Sequence, residues 1–177
     1  LLSGAIVGIT AAIAVITKLT QSVQQSIDTF LRQEDANDMV NDVFGEYSSV
    51  INQAANDTQK FTKIGNEEYQ ELAVQAKNFG IANKDVNQTV RDAIGLADLY
   101  GSAGANEELM LEALSDAQNG KTKGLEKYVK ELRGVTNEEE RNRILQEKIA
   151  KGWEMASTAG ATYGDQITMI TNAAGDM

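Results

Sequence analysis

The chain has 177 residues, 42% of them hydrophobic and 6% aromatic, with 16 Lys and Arg against 26 Asp and Glu and no His, Cys or Pro. Without His or Cys there is no Ser-His-Asp triad, no Cys nucleophile, no disulfide frame and no His/Cys zinc site. The net charge of −10 argues against nucleic-acid binding over the whole surface, and the absence of proline, where average usage is ~5%, favours long helices.

The charge is uneven. Residues 1–120 carry 7 basic and 17 acidic side chains, residues 121–151 carry 9 and 6, and the last 26 carry 3 acids. A local excess of this size reads first as the solvated faces of helices. The first stretch, Leu1 to Thr17, has no charge and only Ser3, Thr10 and Thr17 as polar side chains. Its length sits at the lower limit of a membrane-spanning helix, ~17–25 residues. Gly4, Gly8 and Ala12 recur every fourth residue and would leave a smooth face for close helix approach. A buried, alanine-rich helix of a water-soluble fold reads equally well from length alone.

A second pattern overlaps the first. Ile9, Ile13, Ile16, Thr20, Val23, Ile27 and Phe30 are spaced 4, 3, 4, 3, 4 and 3 apart, the repeat of a helix packed along a seam. The partner is either another copy, giving a self-associating bundle, or the chain's own later helices. The seam continues less regularly through Met39, Val43, Tyr47 and Val50. Glu34, Asp35 and Asp38 suggest a break or a helix start, with Asp35 as a cap.

From Gly65 the chain becomes a series of punctuated helices. Asn66 is expected to cap a helix with Leu72, Ala76 and Phe79 on its apolar side, stopped by Gly80. The next holds Val86, Val90, Ala93 and Ala97 and stops at Gly101. Asn106 then caps a helix with Leu109, Ala113, Leu114 and Ala117 before Gly120, and a short helix follows with Leu125, Tyr128, Val129 and Leu132. Thr136 to Glu139 reads as a capping box for a helix with Ile144, Leu145 and Ile149. In the last segment Ala156, Gly160 and Gly164 stand four apart, with Tyr163, Ile167 and Ile170 at helical spacing; this set is expected to serve helix–helix packing. No run shows the alternation of a strand. The expected fold is all-α: residues 1–64 an extended apolar or coiled-coil segment with a membrane-length start, and residues 65–177 a compact multi-helix module.

Apparent active-site signals have plainer readings. Gly120-Lys121-Thr122 resembles the end of a phosphate loop, but Ser115 stands where that loop needs Gly and a helix leads in. Glu67/Glu68, Glu107/Glu108 and Glu138/Glu139/Glu140 lie in first helical turns, where the helix dipole favours acids. Asp35, Asp38 and Asp42 lack the interleaved ligands and central Gly of a calcium loop. Trp153 reads as a core or interface anchor. No catalytic, cofactor-binding or metal-binding residue is expected, and the chain reads as a non-enzyme.

Residues 109–177 carry a resemblance. A helix ending at Asn119-Gly120, a short helix from Tyr128 to Gly134, a capped helix from Thr136 to Lys151 and a closing pattern through Ala161, Thr162, Tyr163, Gln166, Ile167, Ile170, Asn172, Ala173, Gly175 and Asp176 resemble the helical region of tail tape measure proteins of tailed bacteriophages and prophages. One departure is Gly164-Asp165-Gln166, where that family more often has a residue followed by Gly-Gln. The resemblance implies a structural virion protein that sets tail length during assembly, lies in the tail lumen and assists genome passage through the host membrane. It implies as partners further copies of itself, tail tube, tail tip and assembly chaperone proteins and the host membrane, without sequence-specific nucleic-acid binding. On this reading Gly4, Gly8, Ala12, Ile9, Ile13, Ile16, Val23, Ile27 and Phe30 serve membrane insertion or self-association. A membrane-active protein such as a pore-forming toxin or a secretion-associated protein shares the apolar start and is the alternative.

Overall fold

The structure, a computed structural model, describes residues 32–158, and these are helical throughout apart from short connections. Helix α1 is described over 32–44. Gly45, at φ +54°, opens a 3-10 turn, Gly45–Tyr47, that leads into α2, Ser48–Thr58. Then come α3, Asn66–Asn78, α4, Asn83–Tyr100, α5, Glu107–Gln118, α6, Lys123–Tyr128, and α7, Glu138–Thr158. Short 3-10 turns at Gly101–Ala103 and Lys130–Leu132 close α4 and follow α6.

The punctuation follows local chemistry. Gly80, Gly104 and Gly120 take left-handed φ values of 90°, 82° and 79°. After Gly80 the Ile81 amide donates to the Ala76 carbonyl, and after Gly120 the Lys121 amide donates to that of Asp116, so each glycine turns the chain while the last carbonyls keep partners. Asn106 caps α5 as expected: its Oδ1 accepts from the Leu109 amide at 2.9 Å. Replacing Asn106 with alanine is expected to lower stability by about 1 kcal/mol, read from the denaturant midpoint; an unchanged midpoint would remove the cap from the account.

Three other caps differ from expectation. Asp35 lies inside α1, not at its start. Gly65 is the N-cap of α3, and Asn66 turns inward instead. Asn137, not Thr136, caps α7, accepting from the Glu140 amide at 2.9 Å. In the last two cases a neighbouring residue takes the capping position, and for Asn66 the tertiary bond of its amide to Asn56 is what draws it inward.

The long helix α4 is central, packed on α3, α5 and α7, with α7 its most extensive partner. One apolar core runs through the described residues, with Ile51, Tyr69, Leu96, Met110, Leu111 and Leu125 among its largest fully buried side chains. Val86, Val90, Ala93 and Ala97 of α4 are buried as the spacing predicts. Phe79 and Leu109 are not; they are 43% and 40% exposed. Phe79 follows the last residue of α3, and α5 turns Met110 and Leu111 to the core in place of Leu109.

Val40, Phe44, Ile51 and Ala55 belong to this same core. The division expected at residue 64 therefore falls between two helices, α2 and α3, that pack together, and residues 32–64 are compact where an extended segment was expected. The reason lies in register. Helices α1 and α2 bury Ala36, Val40, Phe44, Ile51 and Ala55, whereas Met39 and Val50 are 39% and 43% exposed and Val43 and Tyr47 half-buried. The continuation through Met39, Val43, Tyr47 and Val50 thus follows the flank of the buried stripe, one residue from it.

Candidate functional site

The expected self-association and membrane residues, Gly4, Gly8, Ala12, Ile9, Ile13, Ile16, Val23, Ile27 and Phe30, lie outside the described residues. So do Gly160, Gly164, Tyr163, Ile167 and Ile170 of the packing set. Its remaining member, Ala156, is buried in the core at 3% exposure. Among the described residues no helix is long and apolar enough to cross a membrane, which leaves the membrane-length start, Leu1 to Thr17, outside the described part.

The tightest feature is the crossing of α4 and α7. A Cβ built on Gly152 would stand 2.5 Å from the Gly95 carbonyl carbon and 3.2 Å from its Cα, and one built on Gly95 would stand 2.8 Å from the Trp153 amide nitrogen. Two backbones touch here with no side chain between them. Four residues before Gly95, the Arg91 guanidinium lies 4.4 Å from the centre of the Trp153 ring, a cation–π contact. With Arg91 over Trp153 midway along α4 and Leu99 and Tyr100 at its end beside Lys148 and Lys151, the helices run antiparallel. Neither glycine was singled out in the sequence, although a glycine inside a helical pattern is a signal of close packing.

Helices α1, α2 and α3 are joined by amides. Gln70, 1% exposed, donates through Nε2 to Asn37 Oδ1 at 2.7 Å and to Asn52 Oδ1 at 2.8 Å. One turn earlier on α3, Asn66 Nδ2 donates to Asn56 Oδ1 at 2.8 Å. The pairs Asn52/Asn56 and Asn66/Gln70 each stand four apart, so two rungs cross the α2–α3 contact. The Oε1 of Gln70 and the Oδ1 of Asn66 are buried without a partner. Tyr69, fully buried beside them, donates its hydroxyl to Asn87 Oδ1 at 3.1 Å.

An acidic groove lies between α3 and the start of α5, with Glu68, Glu71, Glu107 and Glu108 on its walls and Arg32 at its edge. Arg32 pairs with Glu71 at 3.1 Å. Burial, reinforced by the Glu107 charge, pushes the Glu68 carboxyl above its ordinary range, while Arg32 pulls it down. A carboxyl raised on folding binds its proton more tightly in the native state, so its contribution is most favourable below its unfolded value of 4.5 and is lost as pH rises through the raised folded value. Glu68→Gln is expected to stabilise the protein at pH 7 by about 0.5 kcal/mol or less, kept small by solvent screening. The gain should vanish in melts below about pH 4.5; a loss at pH 7 would refute the sign.

Several charges of the basic stretch 121–151 have acidic or carbonyl partners, and Lys130, Lys148 and Lys151 gather around one groove with Tyr100 and Tyr128. Lys121 pairs with Asp116, Arg143 with Glu140 and Glu147, and Lys148 with Glu131, while Arg133 donates to the Glu126 carbonyl. Lys127 lies 4.8 Å from the Tyr128 ring centre. Among the described residues no group of three or more acids could hold a metal ion. The Gly120-Lys121-Thr122 triplet is the closing turn of α5, which accounts for its glycine.

A further feature is a mostly apolar groove of about 320 Å³ between α2, α4 and α7, whose lining includes Val50, Ala54, Phe61, Arg91 and Trp153. Phe61 is 57% exposed. Comparison of the chain with protein-family models, with curated proteins and with solved structures finds no match.

Proposed function

We propose that this chain is a structural segment of a phage tail tape measure protein, acting in tail assembly through helix packing and not through catalysis. The observation that carries the reading is the resemblance of residues 109–177. The helical character of the described part supports it: α5 ends at Asn119-Gly120 and α7 is a long capped helix, although the short helix between them is Lys123–Tyr128, followed by a 3-10 turn at Lys130–Leu132, and not Tyr128 to Gly134 as the resemblance has it. Leu1 to Thr17 and the seam from Ile9 to Phe30 suit self-association in the tail lumen and contact with the host membrane. Partners on this reading are further copies, tube, tip and chaperone proteins. The uncharged start equally suits a pore-forming or secretion-associated protein, which is the second reading.

The compact core sharpens the test. A ruler gains length only from residues laid along the tube, so an in-frame deletion of residues 1–31 from the parent gene is the informative one. Tails measured by electron microscopy are expected to shorten by up to ~45 Å, the helical length of that piece. Unchanged length with lost infectivity would move the segment's work to membrane passage. Unchanged length and infectivity would favour the second reading.

A further inference from the structure

We propose that the groove between α2, α4 and α7 is the seat of this chain's own residues 159–177, docked through Tyr163, Ile167 and Ile170. The groove has the character of a helix-binding site. Val50 and Phe61, at 43% and 57% exposed, line it, as does the half-buried Trp153. Phe61 is the most exposed large apolar side chain among the described residues, and bare apolar side chains gathered around a concave floor mark a surface meant to be covered.

The tail matches it in reach, spacing and charge. Trp153 stands five residues before Thr158, the last described residue of α7, so the chain has to turn back by only ~8 Å of helix. Gly160, ahead of the first anchor, supplies a residue free to make that reversal. Tyr163, Ile167, Ile170 and Ala174 are spaced 4, 3 and 4 apart, the anchor spacing of a helix laid in an apolar groove. The segment carries Asp165 and Asp176 and no basic residue. The groove presents Arg91, while its one acid, Asp57, is already paired with Lys60 at 2.8 Å. A second copy docking groove to groove would bring two Arg91 guanidiniums into the contact and no unpaired acid from the groove, so charge favours the acidic tail.

Trp153 is the only tryptophan of the chain and reports directly on the site. In the full chain, Ile167→Asp with Ile170→Asp is expected to raise the acrylamide quenching constant of Trp153 about twofold and to shift its emission to the red, as cover is lost from the ring. Phe61→Asp should give the same change, and combining all three should add nothing further, because both sets break one contact. Met39→Asp, an exposed substitution outside the groove, should leave the tryptophan signal unchanged, and far-UV circular dichroism should show every variant folded. Unchanged quenching in the folded tail variant would overturn the proposal. Quenching of the unaltered chain that falls with rising protein concentration would overturn it too, by assigning the groove to another copy.

Discussion

Gly152→Ala is expected to destabilise the protein by about 2–3 kcal/mol, although alanine is the better helix former by about 1 kcal/mol. The new methyl would stand 2.5 Å from the Gly95 carbonyl carbon, against backbone that no rotamer change can move. The α4–α7 pair is the most extensive helix contact of the fold, so relief requires the two helices to part along their length, opening voids around Ile149 and Ala156. For a domain of this size the loss corresponds to a fall of about 5–10 °C in Tm. Gly124→Ala is the comparison: its Cβ would meet the Ala113 Cβ at 3.1 Å, a contact with one small side chain, and the cost should stay within about 1 kcal/mol. Equal melting temperatures for the two variants would refute the close-crossing account.

Gln70→Ala is expected to cost about 2–3 kcal/mol, whereas replacing Gln70, Asn37 and Asn52 together by leucine should leave stability within about 1 kcal/mol of the unaltered chain. The single change strands two acceptors, Asn37 Oδ1 and Asn52 Oδ1, that each accept from Gln70 Nε2, and leaves a void in a site 1% exposed. The triple change removes donor and acceptors alike, and with them the buried, unpartnered Gln70 Oε1. Such a polar set holds register more than it adds stability, by analogy with a buried Asn in a helical seam. Urea unfolding with an unchanged m-value separates the two cases. A triple variant as unstable as the single one would show that the amides add stability themselves.

The all-helical class, the glycine stops at Gly80 and Gly120 and the cap at Asn106 were determined by the sequence itself, because each depends on residues within one turn of one another; after α4 the left-handed glycine is Gly104, three residues past the expected stop at Gly101. A left-handed φ or an Asn oxygen facing an amide three residues on needs no distant partner. The apolar face of α4 was legible for a related reason: Val86, Val90, Ala93 and Ala97 recur at helical spacing while Lys84, Arg91 and Asp98 keep to the other side. Local signals did not decide among neighbours. Asn66 and Thr136 carry capping chemistry as good as that of the positions that cap, and α2 offers two adjacent apolar stripes from which only contact with α3 selects the one through Ile51 and Ala55.

The rest was decided by the tertiary structure alone. That residues 32–64 join the core, that Gly95 meets Gly152, that five amides bridge α1, α2 and α3 and that Trp153 meets Arg91 in a groove are all meetings of residues far apart in the chain. Their chemistry is ordinary taken singly: two glycines, a few Asn and Gln, one Arg and one Trp. It becomes specific only when the packing of α4 against α7 and of α2 against α3 sets distances of a few ångströms, and no periodicity within a single helix encodes such a distance.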